Sequence, residues 1–255
     1  MAKVYMFTCP YSKHVWLSLQ EYLEEQDSHK WVVAKEIGKN GYRHIQARFA
    51  VAELKDDRWT EVKRRFPEAH IEEASDTWDY ERKEGKYLTA WDTPEIRQQR
   101  FGALRPAQKL AISVLESTND REVMVWVDHE GNHGKSWLIG HLWEVGKACV
   151  VPPTIDTVKG MIQWVASAYH GEPYIVIDIP RSWKWSEQLY VAIESIKDGL
   201  VYDTRYTARL KNIRGVKIMV MTNNDPKLDK LSQDRWVFFD GNTAWSAGGV
   251  RAPKS

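Results

Sequence analysis

The chain has 255 residues, 43% of them hydrophobic and 28% charged, a globular composition with room for two cores of roughly 100 to 150 residues each. No run approaches the roughly 18 consecutive apolar residues of a membrane span, and the two cysteines, Cys9 and Cys149, lack the spacing of a disulfide framework or a zinc site. Residues 1–100 carry 17 basic and 18 acidic side chains and the remainder 19 and 17, so any nucleic-acid contact must come from local clusters rather than from net charge.

The start, Met1 to Phe7, enters a strand pattern without a signal-peptide profile, which predicts a chain kept inside a cell. A strand is predicted over 4–8, a helix over 14–26, and strands over 31–37 and 44–52. Gly38-Lys39-Asn40-Gly41 lies between the last two and predicts a hairpin with a type I′ turn. A helix over 59–66, a strand over 69–72 and a helix over 77–83 complete an α+β unit with an antiparallel sheet. The stretch 93–106, with two prolines and a glycine, marks a boundary. The expected organisation is a first domain over 1–95, a linker over 96–106 and a second domain over 107–255.

After the boundary come a helix over 107–116, the apolar strand Val123 to Val127, a glycine-bearing loop and a helix over 135–145. Apolar runs recur at 174–178 and 216–221, as in strands buried on both faces of a parallel sheet. The second domain is therefore predicted as α/β.

The segment from His129 to Ser136 follows a buried strand and opens a helix, the setting of a phosphate-binding loop. Backbone amides at Gly131, Asn132 and Gly134 face an anion there, Lys135 reaches the β- and γ-phosphates of ATP, and the Ser136 hydroxyl suits magnesium. His129 stands where the usual first glycine would. Asp178, ending the second apolar strand, is the candidate for positioning the metal and its water. Ile179 follows it where a second acid is common, which leaves Glu130 or Glu187 as the water-activating group. Asn224, after the third apolar strand, is a candidate for sensing the γ-phosphate.

In the first domain, His44 and Gln46 are two apart on a strand and share a face. The hairpin brings Glu36 across from them. Imidazole, amide and carboxylate suit a Mg2+ or Mn2+ ion, which would polarise a scissile phosphate. Tyr80 is the candidate nucleophile and Lys83, on the same helical face, the candidate to steer the phosphate. The same spacing also suits a polar strand face and a half-buried aromatic.

Taken together, these motifs resemble the Rep initiator proteins of circular single-stranded DNA viruses, the circovirus- and smacovirus-like group, and of related plasmids. Phe7-Thr8-Cys9-Pro10, His44-Ile45-Gln46 and Tyr80-Glu81-Arg82-Lys83-Glu84-Gly85 are similar to three ordered motifs of the HUH endonuclease domain. Gly134-Lys135-Ser136, the strand ending at Asp178 and the strand ending at Asn224 are similar to those of superfamily 3 helicases. The resemblance implies an antiparallel-sheet nuclease domain followed by an α/β P-loop ATPase. It further implies a Tyr80 nucleophile, a metal held by Glu36, His44 and Gln46, nicking of a single-stranded DNA stem-loop origin, and a hexameric ATP-driven helicase working in the host nucleus or, in a prokaryote, the cytoplasm. It places Arg205, Tyr206, Arg209 and Lys211 at DNA in a central channel, and makes Arg235 either an arginine finger or a surface residue paired with Asp234. The rival readings are an origin-binding module without catalysis and a P-loop ATPase acting on RNA or protein.

Overall fold

The computed structural model describes residues 2–26, 28–52, 56–78, 80–205, 208–246 and 249–251, without the side chains of 52, 56–58 and 251. It divides into two compact units, Met1–Gly102 and Ala103–Ser255.

The first unit is built on an antiparallel sheet of β1 (Ala2–Pro10), β2 (Lys30–Ile37), β3 (Arg43–Ala52), β4 (His70–Glu73) and β5 (Tyr87–Thr89), in the order β4-β1-β3-β2-β5. Along β3 the side chains of Ile45, Ala47, Phe49 and Val51 are buried in one cluster with Phe7 and Val33. Against them pack α1 (Lys13–Glu25), through Leu19, Tyr22 and Leu23, and α2 (Asp56–Arg65), through Val62. Each large apolar side chain so buried stabilises by about 1.5–3 kcal/mol. Ser12 starts α1 by accepting from the Val15 amide at 3.1 Å. The strict alternation leaves His44, Gln46 and Arg48 on the opposite face of the sheet.

Three local expectations are corrected. Register pairs Ile37 with Arg43, so the hairpin loop spans residues 38–42 and only Gly41 takes a positive φ. That is a longer loop closed by a left-handed glycine, not a type I′ turn, in which Asn40 too would be left-handed. The helix expected over 77–83 shrinks to a 3-10 turn, Tyr80–Arg82, because Arg48 captures the preceding backbone and the Glu81 side chain. Much of the expected linker is a helix, α3 (Pro94–Phe101), started by Thr93 and Pro94. Buried Arg100 fastens it, donating to Asp92 at 2.6 and 2.7 Å and to the Tyr87 carbonyl at 2.9 Å.

The second unit begins with α4 (Pro106–Ser117) and holds a seven-stranded sheet. Its elements are β6 (Val123–Val127), α5 (Lys135–Glu144), β7 (Ala148–Val151), α6 (Val158–Ala168), β8 (Tyr174–Asp178), α7 (Glu187–Asp198), β9 (Leu200–Asp203), β10 (Arg209–Asn212), β11 (Lys217–Thr222), β12 (Trp236–Phe239), β13 (Ala244–Ser246) and β14 (Gly249–Arg251). The sheet runs β14-β13-β12-β6-β11-β8-β7, parallel from β12 to β7 and antiparallel at β13 and β14, while β9 and β10 pair separately. Helices α4 and α5 cover one face and α6 and α7 the other, which accounts for the uninterrupted apolar strands. The carboxyl ends of β6, β11 and β8 lie side by side, Val127 beside Thr222 and Asp178 beside Met221. Such an edge is where parallel sheets bind ligands. Among the described residues no helix is long and apolar enough to cross a membrane.

Candidate active sites

In the first unit, the polar face of the sheet gathers the predicted nuclease residues. Glu36 on β2 pairs directly with His44 on β3, and Glu36 Oε2 lies 3.6 Å from His44 Nε2. Glu36 is 4% exposed, yet its Oε1 has no hydrogen-bond partner, and neither does the buried His44 Nδ1. Unpartnered buried polar atoms are costly unless a water or ligand meets them. Gln46 donates only to the Met6 sulfur, at 3.5 Å, a weak acceptor. One carboxylate, one imidazole and one amide with spare valence fit a hard or borderline divalent ion. Among the described residues no group of three His, Cys, Asp or Glu side chains could hold a metal; here the Gln46 amide would be the third donor.

Tyr80 and Lys83 reach the same place. Lys83 Nζ is 2.9 Å from Glu36 Oε2 and 3.7 Å from the centre of the Tyr80 ring. Burial alone would lower the Lys83 pKa, but the hydrogen bonds it donates to Tyr80 and Glu36 and the Glu36 charge outweigh it and hold the ammonium above its ordinary range. Tyr80 is 55% exposed, open to a macromolecular substrate. Tyr42 stacks on His44 with ring centres 5.8 Å apart, and a cleft of about 320 Å³ opens between Tyr11, Lys35, Glu36, Ile37, Arg43, His44 and Lys86.

In this unit Arg48 is the residue that sequence reasoning missed. Buried beside Gln46, it donates to Glu81 Oε1 at 3.0 Å, to the Ser75 carbonyl at 2.7 Å and to Thr77 Oγ1 at 2.8 Å. It therefore fixes the turn on which Tyr80 stands. On the far side of that turn Glu84 accepts from the Ile37 amide. The signal was available: Arg48 continues the every-second-residue row of His44 and Gln46 in an otherwise apolar half-strand.

In the second unit the loop between β6 and α5 surrounds a cleft of about 340 Å³, bordered by Gly131, Asn132, Gly134, Lys135, Ser136 and Asp178. Gly131, Asn132 and Gly134 all take positive φ, and Asn132 is the one non-glycine to do so among the described residues. The loop thus turns sharply into α5, whose first amides lack partners within the helix and suit an anion; the Gly131 amide, expected to face that anion, is committed to Asp128 instead. The loop is organised by Asp128, which the sequence reading did not single out. It is 3% exposed and accepts from the Gly131 amide at 2.7 Å, pairs with His133 Nδ1 at 2.8 Å, and accepts from Lys135 Nζ at 2.7 Å. Burial pushes the Asp128 carboxyl up, but the bonds from Lys135, His133 and Gly131 prevail and hold it at about 2. From α4, Gln108 donates to the Gly134 carbonyl at 2.9 Å.

Burial raises the Asp178 pKa and the Lys135 charge draws it partly back. His129 points away from the loop to Asp225, 2.9 Å off. Asn223, not Asn224, borders the cleft; Asn224 donates to the Arg181 and Trp183 carbonyls at 3.2 and 3.0 Å. Glu187 is drawn to Lys230 at 2.7 Å and does not border the cleft.

The remaining predicted residues are placed as follows. Arg205 is held by Asp203 and Ser167, Lys211 donates to the Tyr169 carbonyl at 2.7 Å, Arg209 is exposed on β10, and Tyr206 lies outside the described residues. Arg235 is 7% exposed and its guanidinium meets Asp198 at 3.1 Å and Glu194 at 3.4 Å. This corrects the expected pairing with Asp234, which instead binds Arg121 at 3.0 Å.

No protein-family model matches the chain. It is similar to the master replication protein of Faba bean necrotic yellows virus, 25% identical over 183 residues that make up 68% of this chain and 58% of the relative. The master replication protein of Subterranean clover stunt virus is 27% identical over 124 residues, 48% of this chain and 41% of the relative. That of Banana bunchy top virus is 29% identical over 113 residues, 44% and 37% respectively. The chain matches less than two thirds of the length of these relatives. The homologues are thus viral replication proteins, a coarser grouping than the circovirus and smacovirus resemblance.

Proposed function

We propose that the chain initiates rolling-circle replication, with Tyr80 nicking and rejoining single-stranded origin DNA and the second unit binding and hydrolysing ATP to unwind it. The observation that carries the reading is the convergence of Tyr80, Lys83, Glu36 and His44, from three separate segments, at one spot on the polar face of the sheet. The similarity to viral master replication proteins supports the same reading.

The Tyr80 oxygen attacks the scissile phosphorus, the new phosphotyrosine bond replaces the bond to the 3′ oxygen, and the phenol's proton ends on that 3′ hydroxyl. The broken bond's energy stays in the phosphotyrosine, so a 3′ hydroxyl can reverse the step without ATP. Lys83, kept charged by Glu36, neutralises phosphate charge beside the tyrosine ring. Glu36, His44 and Gln46 would hold Mg2+ or Mn2+, whose chemistry is to polarise the phosphate. Arg48, through Glu81, keeps the Tyr80 turn against the sheet. In the second unit Lys135 leaves Asp128 for the nucleotide phosphates, while Ser136 and Asp178 border the place of its magnesium.

A labelled single-stranded oligonucleotide carrying the origin, incubated with the protein and manganese, is expected to yield a covalent protein–DNA adduct. Tyr80→Phe abolishes it with ATP hydrolysis intact, and His44→Ala loses it at every manganese concentration. Persistence of the adduct in Tyr80→Phe removes the assignment.

A further inference from the structure

We propose that Arg181 is the arginine that neutralises the terminal phosphate of the nucleotide, supplied by the same subunit whose loop holds that nucleotide. The inference rests on the ATP reading above. Within its own chain Arg235 is engaged by Asp198 and Glu194 of α7, whereas the cations that border the cleft are Lys135 and Arg181. Arg181, three residues beyond the end of β8, borders the cleft together with Lys135, Ser136, Asp178 and Asn223. Its Nη2 donates to the Glu130 carbonyl at 3.0 Å, and a Cβ added at Gly131 would overlap that same nitrogen. The guanidinium therefore lies directly on the phosphate loop. Its own backbone is tied down, since the Arg181 carbonyl accepts from Asn224 at 3.2 Å. That contact gives Asn224 a role other than sensing phosphate: it braces the segment that carries the arginine.

A single backbone carbonyl does not saturate a guanidinium, which has five N–H donors and matches phosphate oxygens in a fork. In hydrolysis a water oxygen bonds to the γ-phosphorus as the bond to the β,γ-bridging oxygen breaks. The electron pair leaves on the β-phosphate of ADP, and the water's proton ends on the released phosphate. Arg181 offsets the charge that gathers on the γ- and bridging oxygens in that step, where an arginine is worth on the order of 10³-fold or more in rate. A side chain at residue 131 would push the guanidinium aside, although the φ of +82° is what calls for glycine there.

The test uses the full chain with magnesium and ATP. Arg181→Ala is expected to lower kcat on the order of 10³-fold with little change in ADP affinity, and to abolish the preference for ATP over ADP. Arg181→Lys recovers only part of the rate, and added guanidinium ion at millimolar concentration partly rescues the alanine variant. Mixing Arg181→Ala with Lys135→Ala subunits restores nothing, because each lacks part of its own site; restored hydrolysis overturns supply by the same subunit. An unchanged kcat in Arg181→Ala, with the wild type hydrolysing ATP, overturns the assignment alone. Wild-type protein that binds no ATP overturns the ATP reading and this assignment with it.

Discussion

The two candidate sites are built by different means. In the first unit the working side chains stand on the face of an antiparallel sheet, where period-two alternation sends Ile45, Ala47 and Phe49 into the core and His44, Gln46 and Arg48 the other way. In the second the site is a loop at the carboxyl edge of parallel strands, shaped by backbone conformation at Gly131, Asn132 and Gly134. A sheet face gives rigid positions but draws its residues from distant segments. A loop draws them from one short stretch and needs an organiser, here Asp128. The first arrangement is therefore most vulnerable at its long-range clamp and the second at its charges.

The clamp gives the largest expected effect on stability. Arg48→Ala leaves Glu81 buried and unpaired, and destabilises the first unit by about 3–5 kcal/mol. Thermal unfolding checks this, and Arg48→Met combined with Glu81→Leu, which removes both charges, should recover most of the loss. A variant as stable as the wild type would break the contrast between clamp and loop.

Next comes Lys135→Ala, which removes a charged donor from the loop. It should weaken ATP binding roughly 100-fold, about 3 kcal/mol, while leaving the DNA adduct of Tyr80 unaffected. Titration with a fluorescent ATP analogue measures the first and gel electrophoresis the second. Loss of both together would show that the two sites are not separable.

The smallest expected effect is a pH dependence. Asp128 has a folded pKa of about 2, below the ordinary 3.8. Its contribution is present above about pH 4 and is lost as pH falls towards 2. A depression of this size is worth on the order of 2 kcal/mol. Denaturant midpoints measured from pH 5 down to 2.5 should fall more steeply in the wild type than in Asp128→Asn, and parallel curves would remove Asp128 as the organiser.

What was legible in the sequence follows the same division. The loop from 129 to 136 could be read because its glycines, Lys135 and the preceding apolar strand are contiguous. The β3 alternation could be read as well, and with it the shared face of His44 and Gln46. Contacts between distant segments could not. Nothing near Tyr80 states that Arg48 would convert its helix into a 3-10 turn, or that Asp198 and Glu194 would bury Arg235. Within the stretch read as a linker, Pro94 opens a helix, because a proline at the first position of a helix starts it as readily as it interrupts one. Asn223 and Asn224 are adjacent and chemically identical, and only the fold decides which borders the cleft.

The most direct measurement maps the covalent linkage itself. After reaction with origin DNA and manganese, the adduct is digested with nuclease and protease and the modified peptide is sequenced by mass spectrometry. The account predicts a nucleotide phosphate on Tyr80 and on no other residue; a linkage at Tyr42, Tyr11 or any other side chain would contradict it.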